Sequence, residues 1–251
     1  MQSPSPAPPA PQDALENPLL ETMDLERNIT DLESHVGFEY RHDEFDGGSS
    51  SDSLRLYWLQ SFGPSHRLAA GIELPFLYVS GEAGKPSAGG MGDIQLDFRG
   101  MLGKGEKFEN AAGIEITLPS ASNEELGEEQ TVLRFVWGFS GQLSSHTLLS
   151  GEVGYNKAVE NQHETPGINS IEPELILSQV FAKRFGCYLD WDNYYEFDID
   201  RYVTTLQVGL EFALDHHEKW SFSPYVLFPL NHSSRIIETK NAVGFGLIYV
   251  Y

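Results

Sequence analysis

The chain has a single cysteine, few basic residues and no long apolar run, and each shortage excludes something. Cys187 stands alone, so neither an intrachain disulfide nor a thiolate metal cluster can form. It shares a strand face with Phe185 and Leu189 and reads as a small apolar filler. Lysine and arginine number 16 against 37 aspartates and glutamates, for a formal net charge of -21. Nucleic acid needs clustered Lys and Arg for its phosphates and is not expected as a partner. Hydrophobic residues make up 40% of the chain, yet no stretch approaches the roughly 18 consecutive apolar residues of a spanning helix. A helical membrane protein is excluded. A membrane barrel is not, because its strands are apolar only at alternate positions. The start, Met1-Gln2-Ser3-Pro4, has no charged n-region and no apolar h-region, so any secretory signal peptide is expected to have been removed already.

Length allows one barrel or two small domains, and composition shows no internal break. Residues 3–11 are a Ser/Pro/Ala stretch that reads as an extended tether. From Asp13 to Ser34 the sequence turns acidic, and Leu25, Ile29 and Leu32 at helical spacing predict one short amphipathic helix. Residues 1–34 therefore read as a Pro-rich periplasmic leader. It would dock on a barrel rim, enter the lumen as a plug or stay solvated. Its shortness favours the solvated state.

After Ser34 the periodicity becomes two and stays so. It predicts about twelve strands, near 35–43, 52–62, 67–79, 92–102, 107–119, 130–141, 146–157, 170–182, 185–196, 201–214, 219–230 and 240–251, each of a length that crosses a bilayer when tilted. Apolar sets such as Leu54, Leu56 and Trp58, or Leu133, Phe135, Trp137 and Phe139, mark one face of each. Connections alternate between short turns (Gly63-Pro64-Ser65-His66, Gly103-Lys104-Gly105-Glu106, Leu143-Ser144-Ser145, Lys183-Arg184 and Asp215-His216-His217-Glu218) and longer acidic or Gly-rich loops, with 197–200 the one short member of the second group. That beat fits a transmembrane barrel with short periplasmic turns and longer extracellular loops. The fold class is thus all-β, a single antiparallel transmembrane barrel over residues 35–251.

Charge decides which face looks inward. Glu39, Arg41, Arg55, Glu73, Asp97, Arg99, Glu115, Arg134, Glu152, Glu172, Glu174, Asp190, Asp192 and Glu211 all lie opposite the apolar sets. Against lipid each would cost several kcal/mol near the midplane, so they are expected to line the lumen. Four arginines cannot pair all ten carboxylates, which favours a hydrated, cation-tolerant passage over a sealed one. Phe62, Tyr78, Phe185, Tyr202, Trp220, Tyr249 and Tyr251 suit interfacial girdles.

The closing strand carries Phe245, Leu247, Tyr249 and Tyr251 on one face, with Gly244 and Gly246 on the other. An ending of this form resembles the signal by which the barrel-assembly machinery of Gram-negative bacteria recognises its clients. Further likeness lies in Gly89-Gly90-Met91-Gly92-Asp93-Ile94-Gln95-Leu96-Asp97-Phe98-Arg99, in Ala112 to Leu118-Pro119-Ser120, and in the turn from Phe62 to Arg67 that leads into the Gly71 to Pro75 run. These resemble the outer-membrane family named after the MetA pathway of phenol degradation. The resemblance covers most of residues 35–251 and says nothing of 1–34. It implies a barrel that passes small, often aromatic, molecules.

The expected function is an outer-membrane channel for small aromatic or cationic molecules. A sealed scaffold barrel, whose leader holds a periplasmic partner, and an outer-membrane hydrolase are the alternatives. Asn231-His232-Ser233-Ser234 is the sole candidate for a nucleophile and base. Adjacent His and Ser point to opposite strand faces, so no catalytic residue and no enzyme is expected. His216-His217 reads as a solvated pair. Asp198 and Asp200 beside Glu196 lack the further oxygen ligands of a calcium loop, so no metal or cofactor is expected either. Outer-membrane lipid and lipopolysaccharide are the remaining expected partners, the latter bridged to the acidic loops by divalent cations.

Overall fold

A computed structural model describes residues 28–45, 49–80, 87–123, 126–127, 130–161, 167–215, 219–231 and 239–251. The strands are β1 (His35–Phe45), β2 (Ser50–Phe62), β3 (Leu68–Ser80), β4 (Ala88–Met91), β5 (Ile94–Lys104), β6 (Phe108–Leu118), β7 (Gln130–Ser144), β8 (Thr147–Asn161), β9 (Asn169–Ala182), β10 (Phe185–Glu196), β11 (Arg201–Ala213), β12 (Trp220–Pro229) and β13 (Thr239–Val250). Each long strand pairs antiparallel with its sequence neighbours, and β13 returns to β1 with His35 opposite Val250 and Glu39 opposite Gly246. The result is a closed barrel of 12 long strands, which leaves no unpaired edge. Twelve predicted segments correspond to these strands.

The short β4 is the addition. It extends β3 at the long-loop end, pairing Ala88–Met91 with Phe76–Val79, before Gly92 donates to the Pro75 carbonyl at 2.8 Å and the chain steps into β5. Gly89 and Gly90 have no side chains to show a period, so β4 was invisible to pattern. The two motifs that carried the family resemblance meet just beyond it. Asp93 accepts the backbone N–H groups of Ser120 and Ala121, each at 2.9 Å, and Ser120 Oγ accepts that of Ile94 at 2.9 Å. Their joint role is to staple the loop after β6 to the start of β5.

The two faces divide sharply. Trp58, Phe98, Trp137 and Leu177 are 46, 49, 46 and 41% exposed, while the inward neighbours Leu59, Val136 and Ser178 are 3, 3 and 1% exposed. Large apolar side chains exposed on nearly every strand form far more than the patch a water-facing surface tolerates. Lipid is the solvent that suits them. Rings continue around the outside from Phe181 through Phe185, Phe212, Phe222 and Phe245 to Phe38, with centroids 5.3 to 6.4 Å apart. At the seam, Tyr251 donates its backbone N–H to the Ser34 carbonyl at 3.1 Å and accepts the Trp58 indole N–H at 2.6 Å.

Inside, the short-turn half is filled by two apolar clusters that the charged-face pattern did not foretell. One comes wholly from the wall: Leu148, Ile176, Val180, Tyr188, Ala213 and Tyr225. The other joins Leu59, Ala69, Ala111 and Val136 of the wall to Ile29 and Leu32, which precede the first strand.

Candidate functional site

Ile29 and Leu32 belong to the predicted leader helix, and here the structure corrects the reading. Residues 28–34 hold a turn and extended chain, and all but Glu33 are buried. The reason is local. Asn28 Oδ1 accepts the Thr30 N–H at 3.0 Å and the Asn28 carbonyl accepts that of Asp31 at 3.1 Å, while Asp31 Oδ1 accepts that of Glu33 at 2.8 Å. Asn and Asp side chains bonding two residues on make turns rather than helix. The solvated leader favoured from sequence does not extend to these residues. Residues 1–27, with Leu25, lie outside the described part.

This segment crosses the lumen as a strap. At one end Ser34 is tied to β2 through Ser61 Oγ at 2.9 Å and the Ser61 N–H at 3.0 Å. At the other end the wall of β5 to β8 grips its backbone. Arg99 donates to the carbonyls of Asn28 and Asp31, both at 3.2 Å, Glu152 accepts the Ile29 N–H at 3.1 Å, and Asn28 Nδ2 donates to the Phe139 carbonyl at 3.3 Å. Ile29 itself sits on two glycines. A Cβ added at Gly113 would lie 2.7 Å from Ile29 Cδ1, and one at Gly138 would lie 2.5 Å from Ile29 Cγ2.

Next to the strap lies a polar cavity of about 300 Å³. Of the residues expected to line the lumen, Glu39, Arg55, Glu73, Arg99, Glu115, Arg134, Glu152, Glu174 and Asp190 surround it. Asp97 borders a neighbouring cavity of about 140 Å³ between the first strands. Arg41 turns to Asp43 at 2.6 Å, Glu172 accepts from Arg134, Asp192 lies opposite Glu174 in register, and Glu211, 1% exposed, accepts the Ser223 hydroxyl. The cavity also takes in Asn28, Ile29, Gln95, Gln207, Ser223, Tyr225 and Gly246, which the charge pattern missed. For the residues on strands, Gln95, Gln207, Ser223, Tyr225 and Gly246, the inward phase was the available signal. Tyr225 leans over Gly244, and its hydroxyl donates to Glu39, so its ring occupies the space that the glycine leaves.

The arginines are shared among the carboxylates. Arg134 binds Glu115 at 2.9 Å, Glu152 at 2.6 Å and Glu172 at 3.1 Å, so one guanidinium ties four strands. Arg99 pairs with Asp97, and Arg55 stands 3.7 Å from both Glu39 and Glu73. Across β8, β9 and β10, Glu152, Glu174 and Asp192 lie directly opposite one another in register. Like charges so placed repel.

Among the described residues the other candidate chemistries do not assemble. Glu196 accepts the Asn169 N–H at 2.9 Å, Asp198 accepts Asn169 Nδ2 at 3.1 Å, and Asp200 accepts the Tyr195 hydroxyl at 2.7 Å. These carboxylates brace the β10–β11 turn region rather than converge, and among the described residues no three His, Cys, Asp or Glu side chains are grouped as metal ligands. His216, His217, His232, Ser233 and Ser234 lie outside the described residues; Asn231 donates to the Tyr202 carbonyl at 3.0 Å.

An apolar outer belt, a charged interior and alternating short and long connections define the fold of the outer-membrane β-barrels. Solved structures share it. An outer membrane channel from Pseudomonas putida F1 matches with a TM-score of 0.70 at 14% identity, over 90% of this chain and 98% of that one. The NanC porin matches with a TM-score of 0.61 at 10% identity, over 87% and 99%, and the KdgM porin with 0.57 at 13%, over 86% and 99%. No family model and no curated protein sequence matches the chain.

Proposed function

We propose that the protein is an outer-membrane channel that passes small molecules through its charged lumen, with a preference for cationic and aromatic ones. The short turns then face the periplasm, and the acidic loops face outward, where divalent cations bridge them to lipopolysaccharide. Phe245, Leu247, Tyr249 and Tyr251 serve as the assembly signal. The motifs stapled at Asp93 and Ser120 favour the MetA-pathway family of barrels. One observation carries the reading: a polar cavity inside the barrel whose wall holds the carboxylates of Glu152, Glu174 and Asp190. Carboxylates in a low-dielectric passage concentrate cations and repel anions. The test is a planar bilayer with a salt gradient across it. A cation-selective reversal potential is expected, and anion selectivity would overturn the reading.

A sealed scaffold is the second reading, favoured by the two apolar clusters and by the ties of Arg134 across four strands. Permanent electrical silence, in every variant described below, is the result that would establish it.

A further inference from the structure

We propose that residues 28–34 are an autoinhibitory strap, a gate that closes the channel by seating Ile29 on the wall and opens it when Ile29 leaves. The inference rests on the channel reading. Three features separate such a gate from ordinary core packing.

First, Ile29 rests on bare backbone. A Cβ at Gly113 or Gly138 would stand 2.7 or 2.5 Å from Ile29, and it would also crowd the Phe98 or Gly151 carbonyl of the wall, at 2.7 and 3.0 Å. Second, Glu152 and Arg99 of the wall reach the strap at its backbone and keep other partners when it departs; the strap makes a side-chain ion contact at Asp31 Oδ2, 3.2 Å from His35 Nδ1 at the anchored end. Glu152 retains Arg134 through its other oxygen at 2.6 Å, and Arg99 retains Asp97. Leaving therefore strands neither Glu152 nor Arg99, which is the usual penalty for breaking a buried polar contact. Third, Asn28 and Ile29 form part of the boundary of the 300 Å³ cavity. Moving them joins that cavity to the space now occupied by Ile29 and Leu32 at the short-turn end. Ser34, tied to Ser61 and to the last residue of the chain, remains as the anchor about which the strap swings.

The experiment uses the full chain with Cys187→Ser, so that only introduced thiols can couple. A Cβ at Gly138 lies 2.5 Å from Ile29 Cγ2, one bond from the Ile29 Cβ, so Ile29→Cys with Gly138→Cys brings the two Cβ atoms to about 4 Å or less, in reach of the roughly 3.5–4.5 Å that a disulfide spans. Oxidation should lock the strap, seen as a mobility shift on non-reducing gels, and reduction should raise conductance in planar bilayers several-fold. Ile29→Asp, without cysteines, should raise it to the same level with no need of reductant. Ile29→Ala, a milder change, should give an intermediate rise, and heat-modifiable gel migration shows that each variant is folded. Equal, non-zero conductance of locked and released barrels would overturn the gate and leave the channel standing. Failure of the cysteines to couple in the folded barrel would also overturn the gate. Silence of all forms would overturn the channel reading and the gate with it.

Discussion

Arg134 on β7 and Glu152 on β8 meet at 2.6 Å, and the second oxygen of the same carboxylate accepts the N–H of Ile29 at 3.1 Å. One acidic side chain thus connects the ionic network of the wall to the segment that crosses the lumen. Arg134→Ala would leave Glu115, Glu152 and Glu172 facing one another without their shared cation. Removing one partner of a buried ion pair typically costs about 3–5 kcal/mol. The expected outcome is a lower temperature for conversion of the folded gel band to the unfolded one. A band that converts at the wild-type temperature would show that the network carries no net stability.

Cation preference should fade when the register row is neutralised. In Glu174→Gln with Asp192→Asn, the reversal potential under a salt gradient is expected to move toward zero, because the wall of β9 and β10 loses two of its four mid-strand carboxylates. An unchanged potential would place the ion path elsewhere.

Gly209 is the third test. A Cβ there would enter the ring of Tyr188, which is 0% exposed and packed in the wall cluster. Overpacking of this kind costs about 1–3 kcal/mol. Gly209→Ala should therefore lower the gel conversion temperature, and Gly209→Ala with Tyr188→Leu should recover part of the loss. No recovery in the double variant would mean that the ring is not the obstacle.

The outer face admits a direct test of its solvent. Ile114, 40% exposed, lies in register between Phe98 and Phe135 at mid-strand. An arginine facing lipid at that depth costs about 2–4 kcal/mol. Ile114→Arg should fold poorly into liposomes, measured as loss of the heat-modifiable fraction. If this variant instead became stable in water without detergent, the belt would not be a lipid-facing surface.

The barrel was readable because lipid-facing side chains recur at every second residue, and because turns and loops alternate in length regardless of what fills the interior. Interior detail was not. Leu25, Ile29 and Leu32 match a helical period, yet Asn28 and Asp31 bond to their own backbone and turn the chain first; a turn former at 28 and another at 31 was the signal that spacing overruled. Inward apolar residues such as Ile176, Val180 and Tyr188 sit in phase with charged ones, so a rule that took the charged phase as the lumen passed over them. Glycines at 113, 138 and 244 leave gaps on the inward face. Sequence alone cannot say what comes to rest on a missing side chain, and here the occupants are Ile29 and Tyr225, from elements 84 or more and 19 positions away, since 113 − 29 = 84 and 244 − 225 = 19.

The strap also sets an order of events at birth. Its contacts reach 111 and 123 positions along the chain, to Phe139 and Glu152, so its docking surface does not exist until β5 to β8 have paired. Contacts that close so long a stretch form late. A newly paired barrel therefore passes through a stage with its wall complete and Ile29 unseated, in which a thiol placed at position 29 should react briefly with a water-borne reagent and then become shielded. On the channel reading proposed above, that stage is a short-lived leak whose duration is set by the seating of Ile29.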